Sequence, residues 1–264
     1  MRKIQILNVE IANWRMQEFL EQLSEGVVVT PNIDHLVKLQ KDREFYECYR
    51  QAEHVVCDSR VIQLVSRVLY PGKGIAEQIA GSDLFPAFCH FHRGSVATTT
   101  ATTTATTAAT TKVFLLGGTP ESVITAQDAI NARCGSQVII GGYSPPFGFD
   151  QDEQLSAEII ERINASGATV LAVGVGAPKQ EKWITRHRSQ LVNVKLFFAI
   201  GATIDFQAGR IQRAPRWMAK SGLEWLFRLS QEPRRLTRRY LVDDLPFFWL
   251  IFKQRIGLYK NPWQ

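Results

Sequence analysis

An aspartate stands directly after a short apolar run in Val55-Val56-Cys57-Asp58-Ser59. A hydroxyl and an amide follow another such run in Val28-Val29-Thr30-Pro31-Asn32. A carboxylate at the end of a buried strand suits a general base acting on a hydroxyl. Thr30 and Asn32 carry groups that suit sugar hydroxyls or a nucleobase edge. The same residue types start helices, so capping is the competing reading for Thr30, Asn32 and Asp58. In Gly174-Val175-Gly176-Ala177-Pro178-Lys179-Gln180-Glu181 the glycines, Gly176 among them, let backbone approach a ligand closely before a helix opens. There Gln180 can read a base or sugar and Lys179 can face a diphosphate, while Glu181 complements the helix dipole.

Other segments carry weaker signals. Leu115-Leu116-Gly117-Gly118-Thr119-Pro120 reads as a strand, a glycine turn and a helix start whose N–H groups suit a phosphate. Neither a GxGxxG fingerprint nor a GxxxxGK[ST] loop occurs in the chain. Gly141-Gly142-Tyr143-Ser144-Pro145-Pro146-Phe147-Gly148 reads as a rigid turn, either a pocket wall or a plain connection. Asp150-Gln151-Asp152 has the DxD spacing of metal-binding nucleotide-sugar enzymes, but acids are also expected where a helix opens. The five histidines show no HxxxH spacing, and the four cysteines form no CxxC pair. No metal and no cofactor is therefore expected, and the thiols fit a reducing compartment.

The positive charge is confined to the end of the chain. Residues 210–264 hold 12 Lys/Arg against 4 Asp/Glu, a net of +8, whereas residues 1–209 hold 19 against 21. The same stretch is rich in Trp, Phe and Leu. Interleaved basic and bulky apolar residues suit an anionic membrane or a lipid-linked phosphate before nucleic acid. The apolar run at 245–252 is 8 residues long and contains Pro246, too short to span a bilayer. Arg228, Arg234, Arg235, Arg238 and Arg239 flank Glu232-Pro233. Guanidinium groups at such spacing fit a diphosphate, or else form a solvated basic face.

These groups need a scaffold. Apolar, β-branched runs at 27–30, 54–57, 113–116, 138–140, 170–173 and 195–200 read as strands buried on both faces. Helices are expected at 34–51, from Pro120 behind a Thr119 cap, from Asp150, and at 179–191. Alternating βα units imply an α/β fold: a Rossmann-like, mostly parallel sheet with helices on both faces, plus a basic helical C-terminal appendage. Ligands in such sheets bind beyond the carboxyl ends of the strands. The N-terminal apolar run is broken by Gln5, Asn8, Glu10 and Asn13, so no secretion signal is expected. Residues 97–111 are only Ala and Thr and read as a low-complexity loop. The expected division is an α/β catalytic domain at 1–209 and a basic amphipathic appendage at 210–264, with the first part able to fold alone.

Taken in order, several blocks resemble the WecG/TagA/CpsF glycosyltransferases, glycosyltransferase family 26. They are Thr30-Pro31-Asn32, Asp58, Ala80-Gly81-Ser82-Asp83, residues 113–118, Gly176-Ala177-Pro178-Lys179-Gln180-Glu181, Gly201-Ala202-Thr203-Ile204-Asp205-Phe206 and Arg213-Ala214-Pro215-Arg216-Trp217. Gly222-Leu223-Glu224-Trp225-Leu226-Phe227-Arg228-Leu229 and Gln231-Glu232-Pro233-Arg234-Arg235 complete the set. The resemblance implies an inverting, metal-independent transferase on the cytosolic face of the plasma membrane. It would move a sugar from a UDP donor to a polyprenyl-diphosphate-linked acceptor in cell-surface polysaccharide synthesis. Asp58 matches the proposed general base, and Thr30, Asn32 and Gln180 match site-lining positions. Arg228, Arg235 and Arg238 match arginines of an appendage thought to close over the site and to mediate membrane association. Two departures stand out: Ser59 where the family usually has Gly, and the Ala/Thr tract in a connection that is short in the family. The sugar stays open among N-acetylmannosamine, its uronic acid and glucose, and a homo-oligomer is compatible with everything above. A nucleotide-binding regulatory or redox α/β protein is the alternative reading of the same layout.

Overall fold

The computed structural model describes residues 2–93 and 111–264, without the side chains of Arg216, Ala219, Lys220 and Arg235. The Ala/Thr tract at 97–110 lies outside the described residues. In chain order the first elements are β1 (Lys3–Ile6), β2 (Val9–Ala12), α1 (Met16–Gln22), β3 (Gly26–Val29), α2 (Ile33–Lys38) and α3 (Arg43–Gln51). Then come β4 (His54–Val55), α4 (Arg60–Leu69), α5 (Gly81–Phe91), β5 (Val113–Gly117), α6 (Pro120–Cys134) and β6 (Ile139–Tyr143). They continue with α7 (Glu153–Ser166), β7 (Val170–Gly174), α8 (Lys179–His187), β8 (Leu196–Ala199) and α9 (Thr203–Gln207). The C-terminal appendage is helical: α10 (Arg216–Ser221), α11 (Glu224–Gln231), α12 (Pro233–Arg238), a π-helical turn Arg239–Asp243, and α13 (Pro246–Arg255).

A six-stranded sheet has the order β4-β3-β8-β7-β5-β6. The pairs β3–β4, β5–β6, β5–β7 and β7–β8 are all parallel. Every residue of β5 and of β8 is buried, as continuous apolar runs require when helices cover both faces. The fold is thus α/β and Rossmann-like, and all six expected strands are present. A second sheet, the antiparallel pair β1–β2, was not expected. Ile4 and Ile6 are buried while Lys3 and Gln5 are exposed, and Glu10 is the exposed residue of β2, so Gln5 and Glu10 lie on the outer face of the hairpin. Leu7 turns the hairpin at φ +52.

Two helix boundaries differ from expectation. The stretch 34–51 divides into α2 and α3 because Asp42 caps α3, accepting from the Phe45 N–H at 2.9 Å. The helix expected from Asp150 starts later, because Asp152 takes the cap by accepting from the Leu155 N–H at 3.0 Å. Strand β6 also runs on through Gly141 and Gly142, which were expected in a turn. A Cβ on Gly142 would stand 2.4 Å from Val123 Cγ1, so glycine here lets α6 lie close against the strand.

The chain divides into two compact units. One comprises Met1–Gln22, Val28–Gly81 and Gln212–Gln264; the other comprises Leu23–Val27 and Ser82–Ile211. The helical appendage belongs to the same unit as the N-terminal hairpin and the segment carrying Thr30 and Asp58. It contributes Leu236, Phe247 and Ile251 to the buried residues.

Candidate functional site

In the first unit the site grows from two strand ends. The ladder of β3 and β4 extends one step through the Val56 N–H to Val29 carbonyl bond at 3.1 Å. The Asp58 N–H then donates to the Pro31 carbonyl at 3.2 Å, holding the two post-strand loops together. From the other side the Ile79 N–H donates to the Cys57 carbonyl at 2.7 Å, and Gln78 Nε2 donates to the Asp58 carbonyl at 2.6 Å. The Asp58 backbone is therefore pinned from two directions.

Its side chain does not cap α4. Ser59 is the cap, its Oγ accepting from the Ile62 N–H at 3.4 Å. The serine at this position thus relieves Asp58 of the local structural duty that competed with chemistry. Asp58 Oδ1 instead accepts from the N–H of Gly81, the first residue of α5, at 3.1 Å. A helix N-terminus favours the ionised carboxylate. Thr30 closes the group: a Cβ built on Gly81 would lie 3.1 Å from Thr30 Oγ1. Glycine at 81 keeps hydroxyl, carboxylate and backbone N–H in one small cluster. The sequence marks Gly81 only as part of the Ala80-Gly81-Ser82-Asp83 block. Its signal was a glycine opening a helix that has no Ser, Thr, Asp or Asn just before it.

Asn32 takes the capping role. Its Oδ1 accepts from the His35 N–H at 3.1 Å at the start of α2. Of its amide, Nδ2 is the group left to donate to a ligand.

The second unit holds the glycine motifs. Gln180 is buried, and its Oε1 accepts from the Gly176 N–H at 3.2 Å and the Gly201 N–H at 3.0 Å. Its Nε2 donates to Glu181 Oε1 at 2.9 Å. The Gln180 amide, expected to read a base or sugar, clasps the loop after β7 to the loop after β8. Gly201 is the partner that sequence spacing could not pair with it. Gly176 sits at φ +86 with open space where a side chain would be. Lys179 lies over the Phe147 ring at 4.2 Å and 3.7 Å from Asp150 Oδ1.

Gly117 and Gly118 have packing reasons of their own. A Cβ on Gly117 would stand 2.4 Å from the Gly174 carbonyl oxygen, and one on Gly118 would stand 3.0 Å from Ile204 Cγ2. The start of α6 offers few donors for the expected phosphate. Pro120 has no N–H, and the Ser122 N–H goes to Thr119 Oγ1 at 3.2 Å. Arg210 already reaches this corner, donating to Thr119 Oγ1 at 2.7 Å.

Of the appendage arginines, Arg228 is half-buried on α11 and Arg238 is exposed on α12. The Arg235 side chain lies outside the described residues. Next to them, Arg239 Nη2 lies 3.3 Å from Asp34 Oδ2, which also takes Lys38 Nζ at 2.8 Å. Around this ion group sit two buried titratable residues of opposite behaviour. Burial drives the His35 pKa down to about 3, with Asp34 opposing and Arg239 and Lys38 assisting; its Nδ1 meets the Tyr49 hydroxyl at 2.7 Å. Burial raises the Asp244 pKa to about 6, against the pull of Arg239 and Lys38 and with the push of Asp34 and Asp243.

The signs give opposite pH dependences. Between pH 6.5 and about 3 the unfolded chain holds a proton on His35 that the native chain refuses, so acidification destabilises. Between about pH 6 and 3.8 the native chain holds a proton on Asp244 that the unfolded chain lacks, so acidification stabilises. The two oppose each other in the wild type. Thermal unfolding from pH 6.5 to 4 should therefore show His35→Gln gaining Tm relative to wild type as pH falls. Asp244→Asn should lose it over the same range. Parallel pH profiles for both variants and wild type would contradict this assignment.

Among the described residues no helix is long and apolar enough to cross a membrane. The model of the glycosyl transferase WecG/TagA/CpsF family matches residues 4–261, nearly the whole chain.

Proposed function

Given that the chain belongs to the WecG/TagA/CpsF glycosyltransferase family, we propose that it transfers a sugar from a UDP donor, with inversion, to a polyprenyl-diphosphate-linked acceptor in cell-surface polysaccharide synthesis. The observation that carries this reading is the Asp58 carboxylate, held on the Gly81 N–H beside the Thr30 hydroxyl, just beyond two parallel strands. Asp58 removes the proton from the acceptor hydroxyl as that oxygen attacks the anomeric carbon from the face opposite UDP. Thr30 and the Asn32 amide N–H₂ position sugar hydroxyls. The departing diphosphate concentrates negative charge, which cations must meet. Arg228, Arg235 and Arg238 are assigned that task. Gln180 acts at one remove, by fixing the loop that carries Gly176.

A lipid-linked acceptor requires the protein to work at a bilayer surface. Helix α13 turns Phe247 and Ile251 inward and leaves Phe248, Trp249 and Phe252 each about half exposed. Trp249 stacks on Phe252 with ring centroids 5.5 Å apart, and Lys253 Nζ lies 5.4 Å over the Trp249 ring. Aromatic rings flanked by cations suit the headgroup layer of an anionic membrane. This supports a peripheral location on the inner face of the plasma membrane.

The test is UDP release from a panel of UDP-sugars, with and without a short-chain prenyl-diphosphate-GlcNAc acceptor. Release with one donor, and only when acceptor is present, is expected. Release with no donor in the panel, alongside a thermal shift with NAD(P), would replace this reading with the redox or regulatory one.

A further inference from the structure

We propose that Arg239 is a positioning residue: its ion pair with Asp34 ties the turn that follows α12 to α2 and so holds the appendage arginines where the reaction needs them. The inference rests on the transferase reading above. It begins from how unevenly the appendage is attached. Helix α13 and the residues after it are anchored by apolar burial at Phe247 and Ile251. Hydrogen bonds add to this anchor: Gln254 Oε1 accepts from the Leu7 N–H at 2.8 Å, and Trp263 Nε1 donates to the Leu39 carbonyl at 2.7 Å. Among the described side chains of α10–α12, Leu236 alone is buried. Trp217, Trp225 and Leu226 are exposed.

Between these two regions stands the π-helical turn that begins at Arg239. Its attachment to α2 is electrostatic, Arg239 Nη2 to Asp34 Oδ2 at 3.3 Å, and is poorly satisfied. Arg239 Nε and Asp244 Oδ1 are buried without a hydrogen-bond partner. Buried polar atoms left unpaired weaken a contact. Asp34 does not need Arg239 to offset its charge, because Lys38 already pairs with it at i,i+4 and Asp34 lies in the first turn of α2. The second cation therefore serves attachment rather than neutralisation. What it attaches to is the helix whose cap is Asn32, two residues after Thr30. Arg238 precedes the latch by one residue, and Arg228 lies one helix earlier.

The experiment compares wild type with Arg239→Ala, Arg239→Lys and Asp34→Asn in the full chain. Steady-state kinetics are measured with a UDP-sugar and the prenyl-diphosphate-GlcNAc acceptor. Chymotrypsin cleavage within residues 216–242 is located by mass spectrometry, and Tm is recorded. Arg239→Ala should lower kcat about tenfold and raise cleavage by a similar factor, with KM for the donor within about twofold, because only the latched population turns over. Arg239→Lys should recover most of both. Asp34→Asn reads the same contact from the other side should the alanine variant fold poorly. Wild-type kcat in both Arg239→Ala and Asp34→Asn, or a lowered kcat with unchanged cleavage, would overturn the latch. If wild type itself releases no UDP, the transferase reading fails on its own, and the cleavage comparison alone then decides whether the latch exists.

Discussion

Asp58→Asn should lower kcat by about 10³-fold while leaving UDP affinity within about threefold, since removing a general base typically costs 10²–10⁴. The structure shows what this substitution leaves in place. An asparagine Oδ1 can accept from the Gly81 N–H as the carboxylate does, at 3.1 Å in the wild type. The backbone of residue 58 is held by Pro31 and Gln78 through main-chain groups that the change does not touch. Ser59, not Asp58, caps α4, so no helix start is lost. What disappears is the capacity to take a proton. UDP affinity is read by isothermal titration, turnover by UDP release with donor and acceptor present. A variant retaining kcat within twofold would remove Asp58 from the proton transfer. Gly81→Ala gives a graded companion: its methyl would crowd Thr30 Oγ1 at 3.1 Å, shifting the hydroxyl without altering any charge. A smaller loss of turnover, with Tm nearly unchanged, is expected there.

Much of this site was legible because strand ends announce themselves. Apolar runs that stop at Thr30, Asp58 and Gly117 mark the carboxyl edge of a parallel sheet, and each run became a strand. The competition between capping and chemistry was not legible. Asn32, Asp58 and Ser59 all have cap-forming side chains, and only the positions of the Ile62, His35 and Gly81 N–H groups decide which does what. Gln180 was likewise visible as a polar residue in a glycine-rich loop. Its partner Gly201 lies 21 positions away, a separation that no local pattern encodes. The hairpin β1–β2 was missed for another reason: its turn uses Leu7 at positive φ, where an Asn-Gly or Asp-Gly pair would have signalled it. Its alternating residues were weighed only as interruptions of a signal sequence.

The appendage boundary is where charge composition and packing diverge, and the consequence is large. A chain ending at residue 211 should lose the cooperative unfolding of the first unit and not simply its membrane contact. Residues 212–264 are part of that unit. They bury Leu236, Phe247 and Ile251, each worth about 1.5–3 kcal/mol of transfer free energy. They also supply the Gln254, Tyr259, Asn261 and Trp263 side chains that bond to Leu7, Gln40, Tyr46 and Leu39. Each such bond adds about 1 kcal/mol that the truncated chain could not replace. Two point variants separate packing from surface function on one helix. Phe247→Ala, at a fully buried position, should cost about 3–5 kcal/mol in denaturant unfolding and leave vesicle binding in place under native conditions. Trp249→Ala, at a position 58% exposed, should cost under about 1 kcal/mol and weaken co-sedimentation with anionic vesicles. A 211-residue truncation that melts at the wild-type Tm would instead make the tail an independent appendage. Basic charge sets residues 210–264 apart in composition, but the inward face of α13 ties the same residues to the unit that carries Thr30 and Asp58.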